Sequence, residues 1–433
     1  MPKKFLIISQ VFPPDPAAVG QYFDEAAQAL RAAGHEVTIL TANRGYDDPE
    51  QKFEAFENRS GVAVRRLPAS SFGKASMPVR IFGQLSFLLQ CIVRGLFQRG
   101  LTDLLVSTSP PMCGIVAVLI GWLRPSVKVH YWVMDLNPDQ AVALEVFQPK
   151  HPLVKAMDWL NRRILKRASS VIALDRFMAA RLRVKLERER RALAVERSRI
   201  TVIPPWPMGQ HAEAVAHAEN PFRKEHGWAD RFVVMFSGNH SWVHPLGTIL
   251  DAAEQLAEDP RFVFVFIGGG KGKAEVDERI ERWGHLEAGR ARPAVVSLPY
   301  QPLEVIRYSL SAADLHLVSL GDHMGGIVHP CKVYGALAMA RPVLTLGPQE
   351  SYLNDILSED CVGWSVAHGD VAGAVQALQA AADLSSEARS EMGARARAVV
   401  AQKFNREQLL QQFTDTVLWP ADRGQKAEDR GQI

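Results

Sequence analysis

Two successive α/β domains, each built on a parallel sheet, are predicted by three observations. Short apolar runs alternate with helical patterns from Lys4 to Ile203, and the alternation begins afresh at Phe232. Between the halves stands Pro204-Pro205-Trp206-Pro207, and three prolines in four residues suit neither a helix interior nor a central strand. A chain of 433 residues is also too long for a single core.

In the first half, strands are expected at Lys4–Ser9, Glu36–Thr41, Val62–Leu67, Leu104–Ser107, Lys128–Val133, Ser170–Leu174 and Ile200–Ile203. Gln21–Ala33 has a helical pattern that stops at Gly34. In the second half, strands are expected at Phe232–Ser237, Phe262–Ile267, Val295–Leu298, Leu315–Ser319 and Val343–Leu346. Helices are expected at Leu246–Leu256, Leu303–Ser311 and Lys332–Ala340, with alanine-rich helices after Ala372 and a last helix at Arg406–Trp419. The expected division is 1–204, 205–395, a C-terminal helix within 396–420 that packs back on the first domain, and a polar tail over 421–433. Arg181–Arg199 is dense in Arg and Glu and reads as an exposed, charge-laced helix.

Composition narrows the function classes. A hydrophobic fraction of 47%, a charged fraction of 22% and a formal charge of +3 describe an ordinary globular chain and give no sign of a nucleic-acid binder. Cys91, Cys113, Cys331 and Cys361 form no CxxC pair, which leaves out zinc knuckles and redox motifs and fits a reducing cytoplasm. The apolar run after Lys3-Lys4 is too short for a signal peptide. Ile81–Phe97 is interrupted by Gln90 and Arg94, and Cys113–Leu123 is too short to span a bilayer.

Ligands of open α/β sheets bind beyond the carboxyl ends of the strands, so chemistry is sought just after each strand. Four places qualify. Phe12-Pro13-Pro14-Asp15-Pro16 leads to Gly20, where backbone N–H groups at a helix start suit a phosphate, although an ordinary proline-rich turn has the same appearance. Asp135 and Asp139 follow Lys128–Val133; each either faces a ligand as an acid or caps the next helix, and Asp135 is the better candidate for a catalytic carboxylate. Gly238-Asn239-His240, with His244 nearby, and Gly268-Gly269-Gly270, followed by Lys271 and Lys273, are glycine turns that let a diphosphate approach backbone. The most specific is Gly325-Gly326-Ile327-Val328-His329-Pro330-Cys331-Lys332-Val333-Tyr334-Gly335, a glycine-rich loop entering a helix whose first turn carries a lysine.

At these four places the chain resembles family 4 of the retaining glycosyltransferases, over about residues 4 to 418. FPPDPAAVGQYFDEAAQALRAAGHEVTILT is similar to the family's opening, VIPPWP followed by FRKEHGWADRFVVMFSGN to its linker and second-domain entry, and HPCKVYGALAMARPVLT to its lysine-bearing helix. Within the family the resemblance is closest to enzymes that build bacterial cell-surface polysaccharides. It implies the GT-B fold, α/β, with two Rossmann-like parallel-sheet domains facing a cleft. It implies a nucleoside-diphosphate sugar as co-substrate, bound mainly by the second domain, with no cofactor and no metal. It also implies a saccharide or lipid-linked acceptor on the first domain, no nucleic acid, and front-face transfer with retention. Catalytic roles then fall to Lys332, neutralising the leaving diphosphate, and to Asp135 on the acceptor side. Donor contacts fall to Gly20, Gly238, Asn239, His240, Gly269, Lys271, His329, Pro330, Tyr334 and Gly335.

Two departures stand out. The family's Glu-x7-Glu positions hold Ile327 and Gly335, so the ribose needs another partner, with Glu350 one possibility. The family's Arg and Lys after the first strand of the second domain are replaced by Asn239-His240-Ser241-Trp242-Val243-His244, which thins the cationic clamp unless Lys271, Lys273 or a histidine contributes. An active transferase therefore competes with a non-catalytic GT-B nucleotide-binding or partner protein, and more distantly with an epimerase. Finally, Phe72–Arg99 mixes Lys74, Arg80, Arg94 and Arg99 with many apolar residues. It is either a buried helix pair or an interfacial segment that would hold a cytoplasmic protein on the inner membrane face.

Overall fold

The computed structural model describes residues 2–15, 17–45, 50–70, 77–187, 199–208, 214–287 and 290–420. The chain divides into two compact units, Met1–Pro204 with Glu407–Ile433, and Pro205–Arg406.

The first unit holds eight strands: β1 (Lys4–Ile8), β2 (Glu36–Ala42), β3 (Phe56–Arg59), β4 (Val62–Leu67), β5 (Asp103–Ser107), β6 (Lys128–Trp132), β7 (Ser170–Ala173) and β8 (Ile200–Val202). Their order in the sheet is β3-β4-β2-β1-β5-β6-β7-β8. All pairs are parallel except β3 with β4. The central strands are apolar on both faces because helices cover both sides, which is why they read as unbroken runs. Strand order reverses between β1 and β5, and in such sheets that switch point is where ligands bind.

At the amino end of this sheet a buried polar chain ties strands together. The His130 ring nitrogens meet Asp103 at 2.9 Å and Ser170 at 2.8 Å, and Lys3 reaches Asp103 at 3.4 Å. Lys3 also donates to the Leu418 carbonyl at 2.8 Å, anchoring the last helix, Arg406–Leu418. Phe413 of that helix packs against Trp132 with ring centres 4.6 Å apart. His130 is fully buried, so this Ser-His-Asp sequence is a structural network. Burial lowers the pKa of His130 despite the carboxylate beside it.

The second unit holds six parallel strands: β9 (Phe232–Ser237), β10 (Phe262–Ile267), β11 (Val295–Leu298), β12 (Leu315–Ser319), β13 (Val343–Leu346) and β14 (Gly363–Val366), in the order β11-β10-β9-β12-β13-β14. Alternate residues serve separate cores. Phe232, Val234 and Phe236 of β9, with Phe262, Phe264 and Phe266 of β10, fill one face, and Val233, Met235, Val263, Val265 and Ile267 fill the other. Here the switch point lies between β9 and β12.

Several elements differ from expectation. The first helix runs Ala18–Ala32, so it begins three residues before Gln21. Phe72–Arg99 contains one helix, Met77–Phe97, and not a pair; residues 72–76 and the side chain of Arg80 lie outside the described residues. The charge-laced stretch continues the helix Arg176–Glu187, but Lys185 is buried between Asp139 and Asp158, at 2.7 Å from each. Residues 188–198 of that stretch, and the tail from 421 with its end at Ile433, lie outside the described residues.

Candidate functional site

In the second domain the glycine turns form a laced backbone cradle. Gly238, Gly268 and Gly270 have φ of +131°, +128° and +119°, conformations that side chains oppose. Gly238 N–H donates to Ile267 O at 2.9 Å, His240 N–H to Gly269 O at 2.8 Å, and Gly272 N–H to His240 O at 3.0 Å. A Cβ on Gly268 would lie 2.0 Å from Gly238 O, so only glycine fits there. Gly269 O also accepts from the Tyr300 hydroxyl at 3.3 Å.

The loop leaving β12 is pinned to the loop leaving β9. Gly321 N–H donates to Val243 O at 3.0 Å, the His244 imidazole N–H donates to Ser319 O at 2.7 Å, and the Ser319 hydroxyl donates to Pro245 O at 2.6 Å. Lys332, the first residue of the helix Lys332–Ala338, is thereby carried against β9. Its ammonium lies 5.0 Å from the Phe236 ring centre, and its Cε would be 2.8 Å from a Cβ on Gly238. Among the described residues this ammonium has neither a carboxylate nor a hydrogen-bond acceptor. Burial, with nothing strong to offset it, pushes its pKa down to about 8.

The other cationic candidates separate. Lys273 donates to Phe266 O at 2.7 Å and Leu298 O at 2.9 Å, where it caps the ends of β10 and β11. Its charge is spent inside the fold. Lys271 and Asn239 stand exposed at the loop tips. His240 is buried, its imidazole N–H donates to Gly238 O at 3.0 Å, and burial and the Lys273 ammonium lower its pKa to about 4. Its Nε2 lone pair has no partner among the described residues. Burial and the Lys332 ammonium hold His244 well below its ordinary pKa. Both rings are therefore neutral at pH 7 and add no positive charge.

His329 and Tyr334 do not point outward. The His329 ring stacks on Tyr352 at 3.7 Å between centres, its Nε2 meets the Tyr334 hydroxyl at 2.6 Å, and Tyr334 is 1% exposed. The Tyr352 hydroxyl donates to Pro330 O at 2.7 Å. This stack fixes the course of the loop into Lys332, and Gly335 is buried within the helix behind it. Ile327 is 3% exposed in apolar surroundings. Glu350 is exposed, and its carbonyl would lie 3.3 Å from a Cβ on Gly325.

In the first domain, Gly20 lies inside the first turn of Ala18–Ala32 and its N–H already donates to Ala17 O at 3.0 Å. A Cβ there would be 2.9 Å from Phe12 Cα, so the glycine allows the helix to sit on the loop after β1. Asp139 pairs with Lys185, which accounts for it without a ligand. Asp135 differs. Its backbone N–H and that of Met134 donate to Thr108 Oγ1 at 3.0 and 3.1 Å, which pins the loop after β6 to the loop after β5. Its carboxylate has no hydrogen-bond partner among the described residues, and burial raises its pKa to about 6. A small pocket opens beside that loop, lined by Thr108, Cys113, Tyr131, Asn137 and Asn161. Sequence reasoning did not single out Thr108, Phe236 or Ser319, since their contacts join distant strands and leave no local motif.

Residues 17–206 match the family described as the glycosyl transferase 4-like domain. WbjE of Pseudomonas aeruginosa, named as a probable glycosyltransferase, is 24% identical over 289 residues, 66% of this chain and 68% of its own. WcaI of Escherichia coli (strain K12), named for colanic acid biosynthesis, is 22% identical over 347 residues, 78% of this chain and 81% of its own. Sucrose-phosphate synthase from Thermosynechococcus elongatus superposes with a TM-score of 0.70 at 18% identity, covering 95% of this chain and 97% of that one. HepE of Anabaena, solved with UDP and glucose, superposes with a TM-score of 0.68 at 15% identity, covering 96% and 99%. These two likenesses establish the GT-B fold.

Proposed function

We propose how the chain works as a glycosyltransferase, a reading supported by the match of residues 17–206 to the glycosyl transferase 4-like domain and by the two named relatives. It moves a sugar, with retention, from a nucleoside-diphosphate sugar to an acceptor hydroxyl of a saccharide or lipid-linked saccharide in surface polysaccharide synthesis. The observation that carries the donor assignment is Lys332, a half-buried ammonium under the glycine cradle with no carboxylate of its own. A desolvated, unpaired cation is costly unless an anion arrives to meet it. A diphosphate is that anion, and UDP in the HepE structure makes uridine the first base to test.

The chemistry follows. As the bond between the anomeric carbon and the diphosphate oxygen lengthens, charge grows on that oxygen and Lys332 neutralises it. The exposed Lys271 and Asn239 close over the phosphates, Gly238 and Gly269 admit them to backbone, and the Nε2 of neutral His240 accepts a hydrogen bond from the donor. His329, Pro330, Tyr334 and Gly335 position Lys332 and do not touch the donor themselves. The acceptor oxygen bonds to the same face of the sugar that the diphosphate leaves. Asp135, ionised above about pH 6, takes the hydrogen bond of the acceptor hydroxyl on the first domain. The leaving-group charge is carried by lysine, with no metal or cofactor in the scheme. The protein works at the cytoplasmic face of a membrane, where a lipid-linked acceptor is presented.

Calorimetric titration with UDP, GDP, ADP and dTDP tests this reading. One nucleotide binds, and Lys332→Ala weakens it at least tenfold. Binding of none of the four, or equal binding by the variant, overturns the donor site.

A further inference from the structure

We infer that the outer face of the helix Met77–Phe97 docks on an anionic lipid bilayer. This gives the membrane placement of the proposed function a definite surface and rests on that reading, although it is read out without any substrate.

The helix has two apolar faces where a surface helix should have one. Phe87, Leu88, Cys91 and Gly95 face the domain, and Gly95 sits so close to the next helix that a Cβ would lie 2.3 Å from Ile120 Cδ1. The opposite side carries Ile81, Phe82, Leu85, Leu89, Val93 and Phe97, each 46% to 79% exposed. The neighbouring helix, Gly114–Leu123, ends in Trp122 and Leu123, exposed by 76% and 55%. Arg124 donates to Gly95 O and Gln98 O, both at 2.9 Å, which ties the end of this helix to the end of Met77–Phe97. The helix Lys273–Gly284 of the second domain shows the ordinary case, since Asp277, Glu278, Glu281 and Arg282 fill its exposed side. A row of exposed apolar side chains of this kind marks an interaction site.

Charge selects the occupant. Between Glu57 and Asp135 the chain has nine Lys and Arg, of which Arg59 and Arg66 are already paired with Asp24 and Glu57, and one carboxylate, Asp103. That acid is 1% exposed and bonded to His130, so no described carboxylate from this stretch repels an anionic surface. Arg94 and Arg99 stand exposed beside the apolar row. A second copy of the chain would bring these cations against their own kind, whereas anionic lipid headgroups complement them. No helix among the described residues is long and apolar enough to cross a membrane, so the helix lies in the interface.

The test is sedimentation of the full chain with vesicles of phosphatidylcholine, with and without phosphatidylglycerol, at two salt concentrations. The protein partitions to the anionic vesicles and loses affinity with salt. Phe82→Ser/Leu85→Ser/Leu89→Ser weakens partition at least tenfold, and Arg94→Gln/Arg99→Gln removes the preference for anionic lipid. Nucleotide affinity and a cooperative melt, unchanged in both variants, show that they are folded and that the donor site stands apart from this surface. Equal vesicle binding by the variants, or no binding by the wild type, overturns the inference. A wild-type dimer that the triple serine variant converts to monomer, without vesicle binding, overturns it in favour of a second copy.

Discussion

Replacing Lys332 by methionine should make the protein more stable and, at once, unable to hold its donor. Methionine keeps the length and apolar stem that pack on Phe236 and removes the charge. Burial lowers the Lys332 pKa from 10.5 to about 8, a difference of about 2.5 units, or about 3 kcal/mol against the protonated form in the folded state. The folded pKa lies below the unfolded one. The penalty is therefore fully present below pH 8, and stability rises as the pH climbs from 8 towards 10.5, where the unfolded chain binds the extra proton. The variant lacks the penalty. At pH 7 its second domain should gain about 1–3 kcal/mol, or about 3–9 °C in Tm for a unit of this size. That gain should shrink above pH 8 and vanish near pH 10.5. Differential scanning calorimetry at pH 7 and pH 10, with nucleotide titrations beside it, measures both effects. In the wild type, binding between pH 8 and 10 takes up protons, because the diphosphate draws Lys332 back to its charged form. A variant that melts lower than the wild type at pH 7, or a gain that does not depend on pH, would refute the claim that this lysine is held at a cost for its ligand.

Two further outcomes bear on the site. The Asp135 carboxyl is raised to about 6, so transfer should fall as pH drops below 6; Asp135→Asn should lose about a hundredfold in kcat and flatten that acidic limb of the rate profile. Lys273→Met should cost about 1–3 kcal/mol of stability in a urea melt, by leaving Phe266 O and Leu298 O without their donor, while changing nucleotide affinity less than threefold.

The sheets were legible because strands buried on both faces read as apolar runs, and five of the six strands in the second domain begin and end where those runs do. The sixth, β14, is Gly363-Trp364-Ser365-Val366, an edge strand with a glycine start and mixed polarity that gives no run. β3 was missed for a related reason: Phe56-Glu57-Asn58-Arg59 is an antiparallel edge, half open to water and mostly polar. The first helix starts earlier than its pattern because Ala18, Val19 and Gly20 carry no amphipathic signal, while Gly20 sits against the loop at Phe12.

The two lysines of the second domain show where local reading stops. Gly268-Gly269-Gly270-Lys271-Gly272-Lys273 and Gly325-Gly326 through Lys332 follow one rule: glycines after a strand, then a lysine at a helix start. By sequence, Lys332 is the more specific phosphate ligand, and Lys273 is a further cation that could join it. What divides them is where each side chain runs. Lys273 opens the helix between β10 and β11, adjacent strands whose final carbonyls converge on its ammonium. Lys332 opens the helix between β12 and β13, which are also adjacent, but its side chain runs to β9, onto Phe236 and Gly238, where no described carbonyl or carboxylate meets the ammonium. A lysine that opens a helix at a sheet's carboxyl edge is therefore structural or available according to the strand its side chain reaches. That distinction is a property of tertiary contacts, and it singles out Lys332 as the charge left for a ligand.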